Sequence, residues 1–199
     1  MREKSRTMTH SRGMTKDMAV CGLFASLTAV GAFIKIVIPV GPDTMNFTLQ
    51  WFFVLLAGLL LGSRRAFYSV TTYLVIGLVG IPVFARGGGP AYLIRPTFGF
   101  LLGFALAAYA MGKLCEVLHS SKTGVRLLAA TAGYGIYYGT GILYFYFITH
   151  FVVVTPNTVG WAAIFTVYCL PTMVPDYVLC ILAVMIAGRL RPVVNQMLE

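Results

Sequence analysis

The sequence predicts an all-α membrane protein of six transmembrane helices, with N- and C-termini in the cytoplasm and structured extracellular loops after helices 1, 3 and 5. Three observations carry this. The 199 residues are 58% hydrophobic and 11% charged, with a mean hydropathy of +0.83. A soluble domain of this size has too little interior for that much apolar side chain. Apolar segments recur along the chain with room for six spans of ~20 residues each. Twelve of the 15 Lys and Arg fall on one side once the segments are threaded alternately, leaving Lys35, Arg86 and Arg95 on the other. That asymmetry fixes the orientation. It also accounts for the net charge of +9 without a nucleic-acid partner, because the charges lie beside apolar spans.

Taken in order, residues 1–17 read as a basic cytoplasmic tail, disordered at its start. No cleavable signal peptide is expected, since the apolar run that follows is too long for one. A membrane domain is expected over residues 18–191 and a second cytoplasmic tail over 192–199. Span 1 runs from Met18 to Ile38 and stops at Pro39. Its Ala25 and Ala29 are small residues four apart, a spacing that lets another helix approach closely in lipid. Packing inside the bundle and docking of a partner subunit explain them equally well.

Residues 39–48 form an outer loop containing Asp43. Span 2, residues 49–61, is short, so it is tilted and buried or partly re-entrant. Gly62, Ser63, Arg64 and Arg65 make a tight basic turn before span 3, residues 66–79. Span 4 covers residues 97–118, with Gly99 and Gly103 spaced for close contact. Span 5 covers 127–147 and is rich in aromatics, read as interfacial belt and core. Residues 149–165 make a second long outer segment with Pro156, Asn157 and Trp161. Span 6 covers 166–187 and is interrupted by Pro171 and Pro175.

The segment from Gly80 to Gly103 organises the rest. Pro82, Gly87, Gly88, Gly89, Pro90 and Pro96 cannot sit in one continuous helix. Irregular backbone near membrane depth is tolerated where protein buries it or where it lines a wet cavity. The segment carries Arg86 and Arg95, far from other basic clusters, so it reads as the wall of a small-molecule pocket. Arg86 with the amides of Gly87, Gly88 and Gly89 suits a carboxylate. Asp176, the one acid inside a span, is costly there unless it faces a pocket or a partner. As an acceptor it suits a ligand offering N–H groups, such as a cyclic urea. Thr48 and Gln50 supply hydrogen bonds; Tyr73, Phe84, Tyr92 and Trp161 supply apolar walls. Arg95 either joins the pocket or reaches to headgroups.

Cys21, Cys115, Cys169 and Cys180 lack a CxxC pair and read as reduced, buried thiols. His10, His119 and His150 show no ligand spacing, so neither metal nor cofactor is expected. No nucleotide-binding loop, HExxH or nucleophile–base pair is present. An intramembrane enzyme would have to rest on Asp176, alone or with His150. A purely structural assembly subunit is a third reading. No internal repeat is visible, which disfavours an inverted-repeat transporter.

The chain resembles the BioY family, the biotin-capturing S components of energy-coupling-factor (ECF) transporters. The match runs through Thr48-Leu49-Gln50, residues 55–62, Tyr73-Leu74, Gly77, residues 80–85, Gly87-Gly88 and residues 96–104. Later it rests on Pro175-Asp176 and on Arg189-Leu190-Arg191-Pro192. The resemblance implies a non-enzymatic substrate-capture subunit in a prokaryotic plasma membrane. It implies binding of biotin from outside and docking through Ala25 and Ala29 onto a transmembrane T protein driven by two ATPases. It adds Ala85 to the substrate-binding set of Thr48, Gln50, Tyr73, Phe84, Arg86, Gly87, Gly88, Tyr92 and Asp176. Leu179 stands where the family's Asp-x-x-Lys has its Lys. Arg86 replaces a small residue, and Arg95 a Gly. The pocket's charge is therefore rearranged, and dethiobiotin or lipoate are alternative ligands.

Overall fold

The computed structural model describes residues 2–40, 43–118, 122–152 and 160–198. Side chains are described for all of these except 2–13, 38–40, 43–45, 163, 195 and 198. Pro156, Asn157, His119 and the side chains of His10 and Asp43 lie outside the described residues. Six helices dominate. Helix α1 spans Arg2–Phe33, and an antiparallel hairpin follows it, β1 (Lys35–Val40) and β2 (Asp43–Thr48). Helix α2 is Gln50–Leu61, α3 is Ser63–Leu78, α4 is Phe98–Val117 and α5 is Thr123–Phe147. A π-helical turn, Ile148–Val152, extends α5. One helical turn (Trp161–Ala163) and a π-helical stretch (Ile164–Cys169) lead into α6, Leu170–Leu198.

The hairpin corrects the expected end of span 1. The helix stops at Phe33, and the β-branched run Ile36, Val37, Ile38 pairs with Phe47, Asn46 and Met45. Such residues lose side-chain freedom in a helix and fit a pleated ribbon. At the other end, the residues read as a basic tail form the first part of α1. Likewise α6 continues to Leu198 through the segment expected as a C-terminal tail.

Three stretches are long and apolar enough to cross a membrane: Met14–Phe33, Phe98–Val117 and Ile164–Val194. Their outward faces carry exposed Leu23, Val30, Leu106, Val174, Met185 and Ile186, as lipid contact requires. Helix α2, 12 residues, is about 18 Å long and does not span a ~30 Å hydrocarbon core. It is instead the buried axis of the bundle, with Trp51, Val54, Leu55 and Ala57 almost fully enclosed. It packs against α1, α3, α4 and α6.

The tight turn after α2 is as expected. Gly62 adopts φ +82°, and Ser63 begins α3. Glu116 of α4 accepts from the Ser63 amide at 2.7 Å and from its hydroxyl at 2.9 Å, satisfying the start of α3 from a different helix. An Arg65–Asp17 ion pair of 2.9 Å ties α3 to α1. All four cysteines are free, Cys169 and Cys180 buried and the other two half-buried.

Helices α4 and α5 form the most extensive pair. Gly99 and Gly103 make it possible, as their spacing predicts. A Cβ on Gly99 would lie 2.2 Å from Tyr144 Cβ, and one on Gly103 would lie 2.8 Å from the Tyr137 carbonyl oxygen. Gly103→Ala should therefore cost about 1–3 kcal/mol, because a backbone oxygen cannot step aside. Gly139→Ala, in open space on α5, should raise stability by up to about 1 kcal/mol through helix propensity. Thermal unfolding in detergent checks both; equal effects would contradict the packing.

Candidate functional site

The segment between α3 and α4 is built around Phe84. Its ring lies on Gly77, where a Cβ would come within 2.1 Å of Cζ. It packs against Tyr73, Tyr92 and Phe98 with centroid distances of 5.4, 4.6 and 6.4 Å. Phe84 and Gly87 exchange backbone hydrogen bonds of 2.9 and 3.1 Å, leaving Ala85 and Arg86 at the tip of a two-residue loop. The Gly89 amide donates to Gly77 at 2.7 Å. Gly87 and Gly89 take φ values of +110° and +103°, which other residues avoid. A short 3-10 helix, Pro90–Ile94, then leads to α4.

The Gly87 and Gly89 amides are already committed inside the loop. A Cβ on Gly88 would sit 2.3 Å from the Ile81 carbonyl oxygen. The glycines shape the loop, and Ala85 and Arg86 present the chemistry. Lys35 of β1 donates to the Ala85 carbonyl at 2.6 Å, fastening the hairpin to the loop tip.

Gln50 opens α2 and is buried. Its side-chain amide donates to the Tyr73 hydroxyl, which donates to the Val83 carbonyl at 3.3 Å. Thr48 donates to the Gln50 side-chain carbonyl at 3.1 Å. One relay thus joins β2, α2, α3 and the loop.

Two small hollows open beside this relay, about 70 and 30 Å³. Thr48, Gln50, Ala85, Arg86 and Tyr92 line the first, with Thr97, Phe100 and Leu101 of the loop and α4. Asp176, Thr172 and Trp51 line the second. Asn46, Thr48, Phe104 and Tyr137 border both, so the hollow holding Arg86 and the hollow holding Asp176 are neighbours. Asp176 is buried and accepts from the Tyr138 hydroxyl at 2.6 Å; that hydroxyl also meets Thr172 at 3.0 Å. A carboxylate held by a neutral phenol keeps acceptor capacity for a further donor. Trp51, Tyr137 and Phe104 stack as a near-parallel triple, with centroids 4.6, 5.0 and 5.8 Å apart. Phe104 and Tyr137 of this apolar stack border both hollows, and Trp51 borders the second.

Of the expected residues, Thr48, Gln50, Ala85, Arg86, Tyr92 and Asp176 line the hollows. Tyr73, Phe84, Gly87 and Gly88 stand behind them as supports. Trp161 is not a wall: it stacks on Tyr146 at 3.9 Å, well outside the hollows, and is half-exposed. His150 stacks on the other partner side of Tyr146, at 3.9 Å, rather than joining Asp176. Arg95 lies over the Tyr92 ring at 5.2 Å, a cation–π contact that backs the wall. Burial raises the Tyr92 phenol above its ordinary range, opposed in part by Arg95 and Arg86, so it is a neutral donor. Ala25 is buried in the bundle, and Ala29, half-buried, packs against the core. Asn46, Trp51, Phe104, Tyr137 and Thr172 were missed. The sequence offered a weak signal for one of them, a Trp directly after Gln50 in an apolar run.

A helical membrane bundle with hollows under a loop, lined by an arginine and a buried carboxylate, has the form of a small-molecule binding protein. The chain belongs to the BioY family, whose model matches residues 1–196. It is 42% identical over 176 residues to a probable biotin transporter BioY of Lysinibacillus sphaericus, covering 88% of this chain and 87% of that one. It is 40% identical over 136 residues to the biotin transporter BioY of Thermotoga maritima, covering 68% and 77%. Its fold matches the S-component for biotin of an ECF-type ABC transporter, with a TM-score of 0.73 and 22% identity, over 90% of this chain and 92% of that one. These relatives are transporters, which bears out the non-enzymatic reading over the intramembrane enzyme.

Tyr73→Phe should lower stability by about 1–3 kcal/mol, since it strips a buried amide of its acceptor and the loop of a donor. A chemical-denaturation midpoint unchanged from wild type would contradict the relay.

Proposed function

We propose that this chain is the substrate-capture subunit of an ATP-driven vitamin uptake transporter and that it binds biotin from outside. The chain then crosses a prokaryotic plasma membrane six times, α2 completing its crossing inside the bundle with the residues on either side of it, and both termini lie inside with the hairpin and the Gly80–Thr97 loop outside. Transport needs a transmembrane T protein and two ATPase subunits, because the chain carries no nucleotide motif. Residues 1–17 and 192–199 are then cytoplasmic extensions of the membrane domain formed by residues 18–191.

The observation that carries the reading is a basic and an acidic group in two neighbouring hollows that share Asn46, Thr48, Phe104 and Tyr137. Asp176 with Gln50 suits the N–H-bearing ring of biotin, Arg86 suits its carboxylate, and Tyr92 and the Trp51–Tyr137–Phe104 stack suit its apolar parts. The hollows are smaller than the ligand, so the hairpin and loop part to admit it and close over it. Opening them breaks the Lys35–Ala85 contact, which is exposed and therefore cheap to break.

Biotin titrated into purified protein should bind far more tightly than ~1 mM, the point at which binding falls to about 4 kcal/mol. Arg86→Ala should weaken biotin at least about tenfold, the low end of a charge-assisted hydrogen bond, and leave biotin amide nearly unaffected. Equal losses for acid and amide would refute the role of Arg86. Asp176→Asn should weaken both ligands alike. Competition with dethiobiotin and lipoate tests the alternatives raised by Leu179: a tighter competitor would replace biotin as the ligand.

A further inference from the structure

At the opposite end of the bundle an arginine is buried with no ion pair among the described residues. Arg126 sits in the first turns of α5 with 9% of its surface exposed. Its Nη2 donates to Thr123 Oγ1 at 3.2 Å, and its Nε has no hydrogen-bond partner among the described residues. The guanidinium rests on Gly188 of α6, where a Cβ would come within 2.8 Å of Nη1. A residue with a side chain at 188 would remove that seat. Arg191 lies one turn beyond Gly188 on α6 and is half-buried. The nearby acid Glu116 is engaged elsewhere, by Ser63 and by the charges of Lys113 and Arg64. Among the described residues the one salt bridge is Arg65–Asp17. A buried cation whose only hydrogen-bond partner among the described residues is a neutral hydroxyl is costly unless an anion arrives from outside the chain.

The start of α5 supplies the rest of a site. Among the described residues the backbone hydrogen bonds of α5 begin with Val125 and Arg126, both donating to Lys122, and Lys122 gives no side-chain cap. The amides of Thr123 and Gly124 lie in the first turn, at the positive end of a 25-residue helix. Backbone amides and a guanidinium fork together match phosphate oxygens. Leu118, Leu128 and Leu190, all exposed, flank the cluster with surface suited to acyl chains.

We propose that Arg126, with Arg191 and the first amides of α5, binds a phosphate group, and that its source is the headgroup of an anionic phospholipid. Basic pockets between helices beside a membrane surface have the required chemistry. The site is separate from the hollow at Gln50 and Asp176, so its test does not depend on the capture reading.

The experiment uses the purified full chain in neutral detergent, with lipid retention read by native mass spectrometry and affinity by titration of phosphatidylglycerol. Phosphatidylglycerol should bind at least about tenfold more tightly than phosphatidylcholine, the ratio equivalent to ~1.4 kcal/mol. Arg126→Gln should abolish that preference while leaving biotin affinity at its wild-type value. Equal binding of the two lipids overturns the proposal, as does an Arg126→Gln protein that keeps the preference. Inorganic phosphate binding as tightly as phosphatidylglycerol overturns the lipid source. If neither phosphate source binds and Arg126→Gln instead abolishes assembly with the coupling subunits, the anion is a partner's carboxylate and the proposal fails. Should Arg126→Gln not fold, Arg191→Gln and Thr123→Val are read in the same way: both must weaken phosphatidylglycerol, and unchanged affinity in both overturns it.

Discussion

A backbone amide near the apolar layer of a membrane has no water to fall back on, and it must find its partner inside the protein. The loop between α3 and α4 depends on that constraint more than any other part of the fold. Gly77, at the end of α3, answers it twice: its carbonyl accepts from Gly80 and from Gly89. Phe84 and Gly87 answer it for each other. The Tyr73 hydroxyl answers it for Val83 and transmits the position of that strand-like segment to Gln50. Every backbone group that is satisfied this way is a coordinate fixed for Ala85 and Arg86. The loop's irregularity and its precision therefore have one cause.

The same economy explains why α2 can be short. A helix too short to cross the bilayer has polar ends at depth, and both ends of α2 are met by neighbours. Leu49, just before it, donates to carbonyls at the end of α1 and beyond, while Glu116 holds the turn after it. Gly31 lets the Gln50 backbone come within 2.9 Å of where a Cβ would lie. The bundle is thus organised around an element that could not stand alone in lipid.

Much of this was legible in the residues. The glycine-rich segment, the contact glycines of α4, the basic turn at Gly62 and the unusual placement of Arg86 and Asp176 all follow from local chemistry. Three things were not. The hairpin over residues 35–48 hid behind apolar residues, because hydropathy does not distinguish a strand from the end of a span. Ala25 and Ala29 have a spacing that fits an internal and an external helix equally, and which face a helix buries is decided by its neighbours. Tyr137 belongs to an aromatic-rich helix and looked like part of an interfacial belt. Its stacking with Trp51 and Phe104 joins residues 33 to 86 positions apart, a relation that no window of sequence contains.

Pro171 and Pro175, near the start of the last helix, mark a break in pattern that the sequence reads as an interruption. The helix nonetheless runs on through Pro175 and Pro192. Side chains converge on the same region: Tyr134 donates to the Met173 carbonyl at 3.1 Å, and Thr172 to that of Cys169 at 3.0 Å. Tyr134 and Tyr138, one turn apart on α5, both reach it, and Tyr138 also meets Asp176. A phenol can solvate a carboxylate without neutralising it. The Tyr138 hydroxyl, supplied from a neighbouring helix, is therefore what makes an acid tolerable inside this span.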